Sequence, residues 1–298
     1  MNRVVNLRTN AKTNLFLRVL RRRPDGYHEI ETIFHTLGFA DSVTIAPASS
    51  SEIEVDMRPE TEPMRGLPMA ADNLVHAAAR KLVKASGRSK GARIGIVKRI
   101  PIGAGLGGGS GNAAAVLQCL NEIWGLSLDS ETLAELALDL GADVPYCLTG
   151  GTALATGRGE AITRLPAPAT LWFVLGLSIE PLLTRDVYGA FRSDRDSPDV
   201  RSAPMALALG LGDVEAIATL LHNDLEAPAF RLRPELEKLK AAMLDAGALG
   251  AVMSGSGPTM IGLAGDQGHA SAIASAAERW FDRVTVTSSR PECIERLD

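Results

Sequence analysis

The sequence has few cysteines, no excess of basic residues and no long apolar run. Its three cysteines, Cys119, Cys147 and Cys293, are far apart and form no CxxC pair. Neither a disulfide framework nor a structural zinc site is therefore indicated. Cys119 lies among apolar residues at helical spacing and is interpreted as a small core residue. This cysteine usage fits a reducing compartment.

The charge balance predicts that nucleic acid is not a partner. The formal net charge is -4 at pH 7, whereas proteins that bind nucleic acid usually carry a basic field that neutralises phosphates. The one dense basic cluster, Arg21–Arg23, is interpreted as a solvated loop, with attraction of an anionic substrate as the alternative. No secretory signal and no apolar run of membrane-spanning length are visible. We therefore expect a cytoplasmic protein of bacterial origin without a membrane partner.

The length of 298 residues, 46% of them hydrophobic, suits two domains with a cleft between them. A soft boundary is expected near 155–170. Strands and helices do not alternate strictly, which favours the α+β class. Predicted strands are 11–20, 42–46, 52–57, 93–98, 152–156, 171–177, 249–253, 258–264 and 283–287. Predicted helices run from a cap at Asp72 to Gly87, from near Ser110, from 130 to 140 with Gly141 ending it, and over 213–222, 234–246 and 269–281; 192–204 is predicted to be a loop.

A glycine-rich segment, residues 101–111, connects a predicted strand to a predicted helix. Glycine lets backbone amides approach an anion without a Cβ in the way, and a helix N-terminus adds unpaired N–H groups and a positive dipole end. The segment therefore predicts a phosphate-binding loop. The alternative is a flexible turn that merely needs positive φ angles.

Three familiar phosphate loops do not fit this segment. Gly103 and Gly108 have Walker spacing, but Gly109 stands where lysine is required. Gly103, Gly105 and Gly108 satisfy GxGxxG, yet the acidic residues that follow lie on a predicted helix and loop instead of the end of a next strand. The HRD and DFG tripeptides of protein kinases are absent. The loop belongs to none of these classes.

Two charged residues have the chemistry that phosphoryl transfer needs. Asp143 follows a predicted helix end and precedes Val144, which is expected to be extended because Pro145 follows it; the alternative is a simple turn cap. Lys12 lies on an apolar strand, where a lysine usually pairs with a charge. A carboxylate and a cation would orient a hydroxyl and offset phosphoryl charge. The small-residue loop 254–259 is either a hairpin turn or a segment that packs against the glycine loop.

Together these features resemble the GHMP kinase superfamily. Lys12 with Asn14, the loop 101–111 and the loop 254–259 occur in the order of its three motifs. The stretches 11–34 (AKTNLFLRVLRRRPDGYHEIETIF), 101–114 (PIGAGLGGGSGNAA) and 141–160 (GADVPYCLTGGTALATGRGE), with 223–226, resemble more closely the members whose substrate carries a cytidine diphosphate group. The resemblance covers nearly the whole chain.

The resemblance implies a two-domain α+β fold with the active site in the cleft between the domains. Residues 1–160 would form the N-terminal domain with the phosphate loop and the site for the substrate base, and 161–298 the C-terminal domain. The implied reaction is ATP-dependent phosphorylation of a small-molecule hydroxyl in non-mevalonate isoprenoid biosynthesis. Mg²⁺ would accompany ATP, no metal ligand is named, and the chain would be a monomer or homodimer. The rivals are a homoserine or mevalonate kinase, an NAD-dependent oxidoreductase and a non-catalytic nucleotide-binding regulator.

The resemblance also implies residue roles. Asp143 would be the catalytic base and Lys12 its charged partner. Tyr27 would stack on the cytosine and His28 would hydrogen-bond it. The remaining substrate contacts would be Asn14, which orients the substrate, Thr184, and Tyr188, which covers the other cytosine face. The implied ATP-binding residues are Pro101, Ile102, Gly103, Ala104, Gly105, Leu106, Gly107, Gly108, Gly109, Ser110 and Gly111, with Asn73 and Lys98 beside the adenine.

Two residues depart from the pattern of the family. Asn10 stands where proline usually precedes the Ala-Lys pair, which is expected to loosen the start of that strand. Gly111 replaces a serine or alanine, which is expected to change one phosphate hydrogen bond without abolishing binding.

Overall fold

The described part of the chain consists of two β-sheets and the helices packed on them. The computed structural model describes residues 4–60, 73–87, 90–166, 170–192 and 200–297. The strands are β1 Val5–Arg22, β2 His28–Ala48, β3 Ile53–Pro59, β4 Gly91–Lys98, β5 Thr152–Gly157, β6 Ala161–Arg164, β7 Trp172–Leu177, β8 His222–Asn223, β9 Gly250–Met253, β10 Met260–Ala264, β11 Arg283–Ser288 and β12 Ile294–Leu297. The helices are α1 Leu74–Ser86, α2 Gly108–Ile123, α3 Ser130–Leu138, α4 Val144–Thr149, α5 Thr184–Ala190, α6 Ala203–Leu211, α7 Val214–Leu220, α8 Glu226–Leu232, α9 Glu235–Asp245 and α10 Gln267–Ala277.

The first sheet has the strand order β12-β1-β2-β4-β3, with β5 and β6 continuing from β2 and β8 pairing with β1. Its centre is the long antiparallel pair β1 and β2, connected by a turn at residues 24–26. Gly26 has φ +85° there, a conformation that favours glycine. The pair places Lys12 in the middle of the sheet and Tyr27 at its end.

The second sheet, β11-β7-β10-β9, is antiparallel throughout. Helices α9 and α10 pack against it. One hydrophobic cluster lies between the two sheets and joins Ile33, Leu37 and Leu106 to Phe173 and Val252. The second half of the chain therefore packs directly on β1, β2 and the glycine segment. The predicted α+β class is confirmed.

The predicted strands are all present, but the predicted starts of two helices need correction. Asp72 lies outside the described residues, and the cap of α1 is Asn73, whose Oδ1 accepts from Val75 N at 3.0 Å. Helix α2 begins at Gly108, before the predicted start at Ser110. Low glycine propensity is overridden here because ten residues of α2 are buried against the sheet and α1.

The predictions around Asp143 and Pro204 were also partly wrong. Helix α3 ends at Leu138, and Gly141 does not cap it, since Asp139 is the C-cap. Val144 is the first residue of α4 and not extended, with Pro145 in the first turn, where its missing N–H needs no partner. Pro204 likewise lies in the first turn of α6, so the predicted loop ends earlier; residues 193–199 of it lie outside the described residues.

Two findings bear on the compartment and partner predictions. Within the described residues, no helix combines the length and apolarity needed to cross a bilayer. The three cysteines are unpaired and buried, and burial raises the pKa of the Cys119 thiol to about 11. Cys119 is a core residue, as its helical spacing predicts.

Candidate active site

A cleft of about 960 Å³ lies where the two halves of the chain meet. Residues from β1, the β1–β2 turn and the glycine segment line it together with residues of α5 and the loop 254–259. All of the predicted site residues line this cleft except Gly111. We call residues 101–111 with 254–259 the glycine wall, and Tyr27, His28, Tyr188 and Phe191 the aromatic wall.

The glycine wall has backbone geometry that suits an anion. Gly103, Gly105 and Gly107 have φ of +69°, +75° and +69°, which residues with a Cβ rarely adopt. Helix α2 starts directly after Gly107. Its first turn lies within the described residues and has no side-chain cap and no acidic residue. The positive end of the helix is thus left to a ligand.

The carbonyl groups of this segment are bound by the protein. Lys12 N donates to Leu106 O at 2.9 Å, and Ser254 Oγ donates to Gly105 O at 3.0 Å. Gly107 O accepts from the amide of Gly111 at 2.8 Å. These bonds occupy the oxygen atoms that would repel a phosphate. Hydrogen bonds to its carbonyl groups therefore hold the segment in place, and its binding of phosphate stays a prediction.

The loop 254–259 packs against the glycine segment, as one of the two interpretations predicts. A Cβ on Gly105 would lie 2.0 Å from Ser254 O, and a Cβ on Gly255 would lie 3.2 Å from Lys12 Nζ. A Cβ on Gly107 would lie 2.7 Å from Lys12 Cγ. Glycine is required at these three positions because two loops and one lysine converge there.

Lys12 and Asp143 form an ion pair at the bottom of the cleft. The distance from Lys12 Nζ to Asp143 Oδ2 is 3.2 Å, and the lysine side chain is 5% exposed whereas the carboxylate is 35% exposed. Lys12 Nζ also donates to Asn14 Oδ1 at 3.0 Å, and Asn14 Nδ2 donates to Thr32 Oγ1 at 2.8 Å. The carboxylate of Asp143 therefore remains accessible to a ligand, while Asn14 and Thr32 hold the Lys12 ammonium group in place.

Asp143 occupies the N-cap position of α4, yet its side chain makes no capping hydrogen bond. The turn-cap alternative for this carboxylate is therefore wrong. The backbone of α4 places Asp143 at the cleft, and the side chain turns to Lys12 instead of the helix. A carboxylate so placed is available to a hydroxyl group of a ligand.

The aromatic wall lies at the end of the β1–β2 pair. The rings of His28 and Tyr188 are stacked with centroids 5.0 Å apart, and Phe191 meets His28 edge-on at 6.1 Å. Burial and the nearby Arg22 charge lower the pKa of His28, so its imidazole is neutral at pH 7. Tyr27 is 56% exposed and presents its ring to the cleft. Nearby, Thr184 Oγ1 and Ser256 Oγ are 2.9 Å apart.

Asn73 and Lys98 line the cleft together with the glycine segment. Lys98 is buried and forms an ion pair with the fully buried Asp41. Asp41 also accepts from Ile100 N at 2.9 Å and from Asn112 Nδ2 at 3.1 Å. It thereby binds both the chain that enters the glycine segment and the helix that leaves it. Sequence reasoning missed Asp41; the only signal was an acidic residue inside an apolar strand.

The two departures from the family pattern have structural explanations. The amide of Gly111 donates within α2, and a Cβ there would lie 3.7 Å from Asn10 O and from Thr9 Cβ, an ordinary contact. Gly111 does not line the cleft, and its predicted effect on a phosphate hydrogen bond stays a prediction. Asn10 Nδ2 donates to Glu292 O at 2.9 Å and to Glu295 Oε1 at 2.8 Å. Asn10 thus connects β1 to Glu295 of β12 and to the residues that precede this strand, while the pairing of β1 with β2 shifts register between Asn10 and Ala11.

Comparison with known families identifies the architecture of this site. The family described as "GHMP kinases N terminal domain" matches residues 73–151, and "GHMP kinases C terminal" matches residues 205–283. The chain belongs to the GHMP kinase family. The first match contains α1 and the glycine segment of this GHMP kinase, and the second contains the loop 254–259.

Individual relatives of this GHMP kinase share one name. A 4-diphosphocytidyl-2-C-methyl-D-erythritol kinase of Gloeobacter violaceus is 40% identical, with 91% of this chain and 89% of the relative covered. The protein of that name from Pelotomaculum thermopropionicum is also 40% identical, with 95% and 97% covered. These relatives are kinases of a small molecule, and so is this chain.

Solved structures agree with this placement. A crystal structure of 4-(cytidine 5'-diphospho)-2C-methyl-D-erythritol kinase superposes with a TM-score of 0.80 at 37% identity, covering 95% of this chain and 98% of that one. A homoserine kinase from Cytophaga hutchinsonii gives 0.78 at 20% identity, covering 100% and 98%. The second likeness shows the fold alone. The predicted GHMP kinase fold is confirmed.

Proposed function

We propose that this GHMP kinase transfers the γ-phosphoryl group of ATP to a hydroxyl of 4-diphosphocytidyl-2-C-methyl-D-erythritol, giving the 2-phosphate and ADP. One observation carries the proposal: a single cleft joins the Lys12–Asp143 pair to the glycine wall on one side and to the aromatic wall on the other. The names of relatives that cover nearly the whole chain at 40% identity support this substrate. The reaction belongs to isoprenoid precursor biosynthesis by the non-mevalonate pathway.

The reacting groups have complementary charges. We propose that Asp143 takes the proton of the substrate hydroxyl. At the same time the hydroxyl oxygen bonds to the γ-phosphorus of ATP, and the bond between the γ-phosphorus and the bridging β-phosphate oxygen breaks. Lys12, 3.2 Å from the carboxylate, offsets the negative charge of the phosphoryl group. Asn14 orients the substrate through the same hydrogen-bonded group. The proton resides on Asp143 until ADP and the phosphate ester leave.

The glycine wall is the proposed site for the ATP phosphates. Amides at the start of α2 and residues 101–110 would surround them, while Asn73 and Lys98 border the adenine. Within the described residues, no three His, Cys, Asp or Glu side chains form a metal-binding group. We therefore propose that Mg²⁺ arrives as the MgATP complex, held by the phosphates of the nucleotide.

The aromatic wall is the proposed site for the cytosine. Tyr27 would stack on one face of the cytosine, and Tyr188 would cover the other face of the cytosine. The neutral imidazole of His28 can accept or donate a hydrogen bond. Thr184 lies at the edge of this site beside Ser256. An NAD-dependent oxidoreductase or a passive nucleotide sensor would need neither this wall nor the Lys12–Asp143 pair.

We also propose the division into residues 1–160 and 161–298, since the two family matches lie on opposite sides of that boundary. A cytoplasmic location and a monomeric or homodimeric state stay predictions. Size-exclusion chromatography with light scattering measures the second of these.

A transfer assay tests the function. ATP is offered with 4-diphosphocytidyl-2-C-methyl-D-erythritol, mevalonate and homoserine in separate reactions, and ADP release and product mass are measured. We expect turnover with the cytidyl substrate alone. Turnover with mevalonate or homoserine instead would transfer the chain to another branch of the family, and tight NADH binding without ATP binding would contradict the kinase site.

A further inference from the structure

The hairpin between β5 and β6 carries an arginine that the roles above leave unused. Its turn has the sequence Gly157-Arg158-Gly159, and the two glycines have φ of +74° and +115°. A Cβ on Gly159 would lie 3.8 Å from Ala142 O, so the turn packs against the residue before Asp143. Because both neighbours of Arg158 adopt conformations that favour glycine, the turn holds this arginine in one place, in the wall of the cleft.

The guanidinium of Arg158 lies over the ring of Tyr27, with 4.9 Å between Cζ and the ring centroid. Its side chain is 25% exposed, and its ion pair with Glu160 spans 4.0 Å, which exceeds hydrogen-bond length. By contrast, Lys12 and its carboxylate are 3.2 Å apart. Among the described residues, no carboxylate lies within hydrogen-bond distance of the Arg158 guanidinium: Glu160 is 4.0 Å away, and the charge of Arg158 also acts on Asp25 and Asp139 from further off.

Arg158 lies between the residues that are proposed to hold the two ends of the substrate, Tyr27 and Asp143. Tyr27, proposed to stack on the cytosine, is beneath its guanidinium, and the segment leading to Asp143 is beneath the adjacent glycine. The substrate has the same order of groups: a base, then a diphosphate, then the polyol whose hydroxyl reacts. The planar fork of an arginine fits phosphate oxygens in a bidentate manner.

We propose that Arg158 binds the diphosphate of the substrate and thereby makes the enzyme select cytidine diphosphate compounds over cytidine. This inference rests on the proposed function. A second role for the same contact is purely structural, in which the guanidinium covers Tyr27 and holds its ring in place. The two roles differ in which ligands lose affinity when the arginine is changed.

The experiment is calorimetric titration of the full-length protein with cytidine, CMP and CDP. The variants are Arg158→Gln, which removes the charge, Arg158→Lys, which keeps it, and Arg164→Gln as a matched control. Arg164 belongs to β6 of the same hairpin, is exposed, and lies outside the cleft lining. Thermal unfolding of each variant, followed by circular dichroism, checks that the hairpin folds.

We expect Arg158→Gln to weaken CDP binding about tenfold or more while cytidine binding changes less than about twofold. Arg158→Lys should recover part of the loss, Arg164→Gln should match the wild type, and the CDP loss should shrink at high salt. An equal loss for cytidine and CDP, or no loss at all, would overturn the inference. Wild-type protein that binds no cytidine ligand would overturn the proposed substrate as well, so the two failures are distinguishable.

Discussion

The glycine wall of the cleft is built from backbone, whereas the aromatic wall is built from side chains. In the glycine wall, φ angles and bound carbonyl groups fix the position of each amide. In the aromatic wall, the ring of His28 on β2 contacts Tyr188 of α5 and Phe191, which follows α5. Tyr27 of the same wall is about half exposed. One wall is set by local conformation and the other by tertiary contacts.

This difference has a functional consequence. A backbone site recognises a group that all nucleoside triphosphates share, the polyphosphate chain, and is insensitive to most side-chain changes. A side-chain site can be altered residue by residue, so it is where members of one family acquire different substrates. The homoserine kinase from Cytophaga hutchinsonii shares the fold of this chain at 20% identity.

The largest expected effect is at Asp143, where the two walls meet. Asp143→Asn keeps the shape of the side chain but removes the proposed base and the partner charge of Lys12. Turnover should fall by about 10³-fold, within the range for loss of a general base. Because both walls stay intact, the dissociation constants for ATP and CDP should change little.

Steady-state kinetics and calorimetry on this variant provide the check. A rate within a factor of a few of the wild type would remove Asp143 from the role of base. A loss confined to ATP affinity would assign it to the glycine wall instead.

Glycine substitutions test the backbone character of the glycine wall. In Gly105→Ala the new Cβ would lie 2.0 Å from Ser254 O, and the residue would be held at positive φ. We expect a stability loss of about 3 kcal/mol and ATP binding at least about tenfold weaker.

Gly111→Ala is the matched control, since its Cβ meets only ordinary contacts at 3.7 Å in a helix. It should be neutral or stabilising by up to about 1 kcal/mol. Urea unfolding and ATP titration of the two variants measure both quantities. Equal losses of stability and of ATP affinity at the two positions would contradict the idea that the positive φ angle and the close contact of Gly105 are what the glycine wall needs.

The same contrast decides what could be predicted from the sequence. The glycine segment could be proposed as a phosphate loop because glycine content and a strand-to-helix junction are local signals, and the strands β4 and β7 follow from short apolar patterns. Asp41 and Arg158 were missed because their partners, Lys98 and Tyr27, are distant in sequence and are brought near only by tertiary structure. The substrate residues came from resemblance to a family and not from spacing or composition.

The errors near Asp143 have a related cause. Gly141 and the pre-proline residue Val144 have propensities for a helix stop and for extended backbone. Packing of α4 against α2 and α3 overrides both, and it is this packing that brings the carboxylate to Lys12. A local rule therefore failed at the position where the active site needs a particular orientation.

Removal of one ring tests the aromatic wall. Tyr27→Ala should weaken binding of cytidine ligands about tenfold, since stacking of a base on an aromatic ring contributes roughly 1–3 kcal/mol. ATP affinity should stay the same, because the ring lies on the opposite wall. Tyr27→Phe keeps the stacking surface and serves as the control in calorimetric titrations. Equal losses for ATP and CDP in Tyr27→Ala would contradict the assignment of this wall to the cytosine.

The smallest expected effect concerns pH and His28. Burial and the Arg22 charge lower the pKa of His28 below its usual 6.5, so the neutral ring predominates at pH 6.5 and the protonated ring becomes the main form only in more acidic solution. Protonation removes the acceptor nitrogen of the imidazole. Cytidine affinity should therefore be constant from pH 8 to about 6.5 and then decrease by less than about tenfold towards pH 5.

The proposed nucleotide site at the glycine wall uses backbone amides, which do not titrate in this range. The acid-sensitive decrease should therefore be absent from ATP titrations. His28→Gln keeps a hydrogen-bonding side chain but cannot gain a proton, and it should bind cytidine with a flat pH profile. If the variant retained the wild-type decrease, another group would be responsible for it. If ATP binding weakened in parallel for the wild type but not for the variant, His28 would act on both walls, and the separation between a backbone site and a side-chain site would not hold.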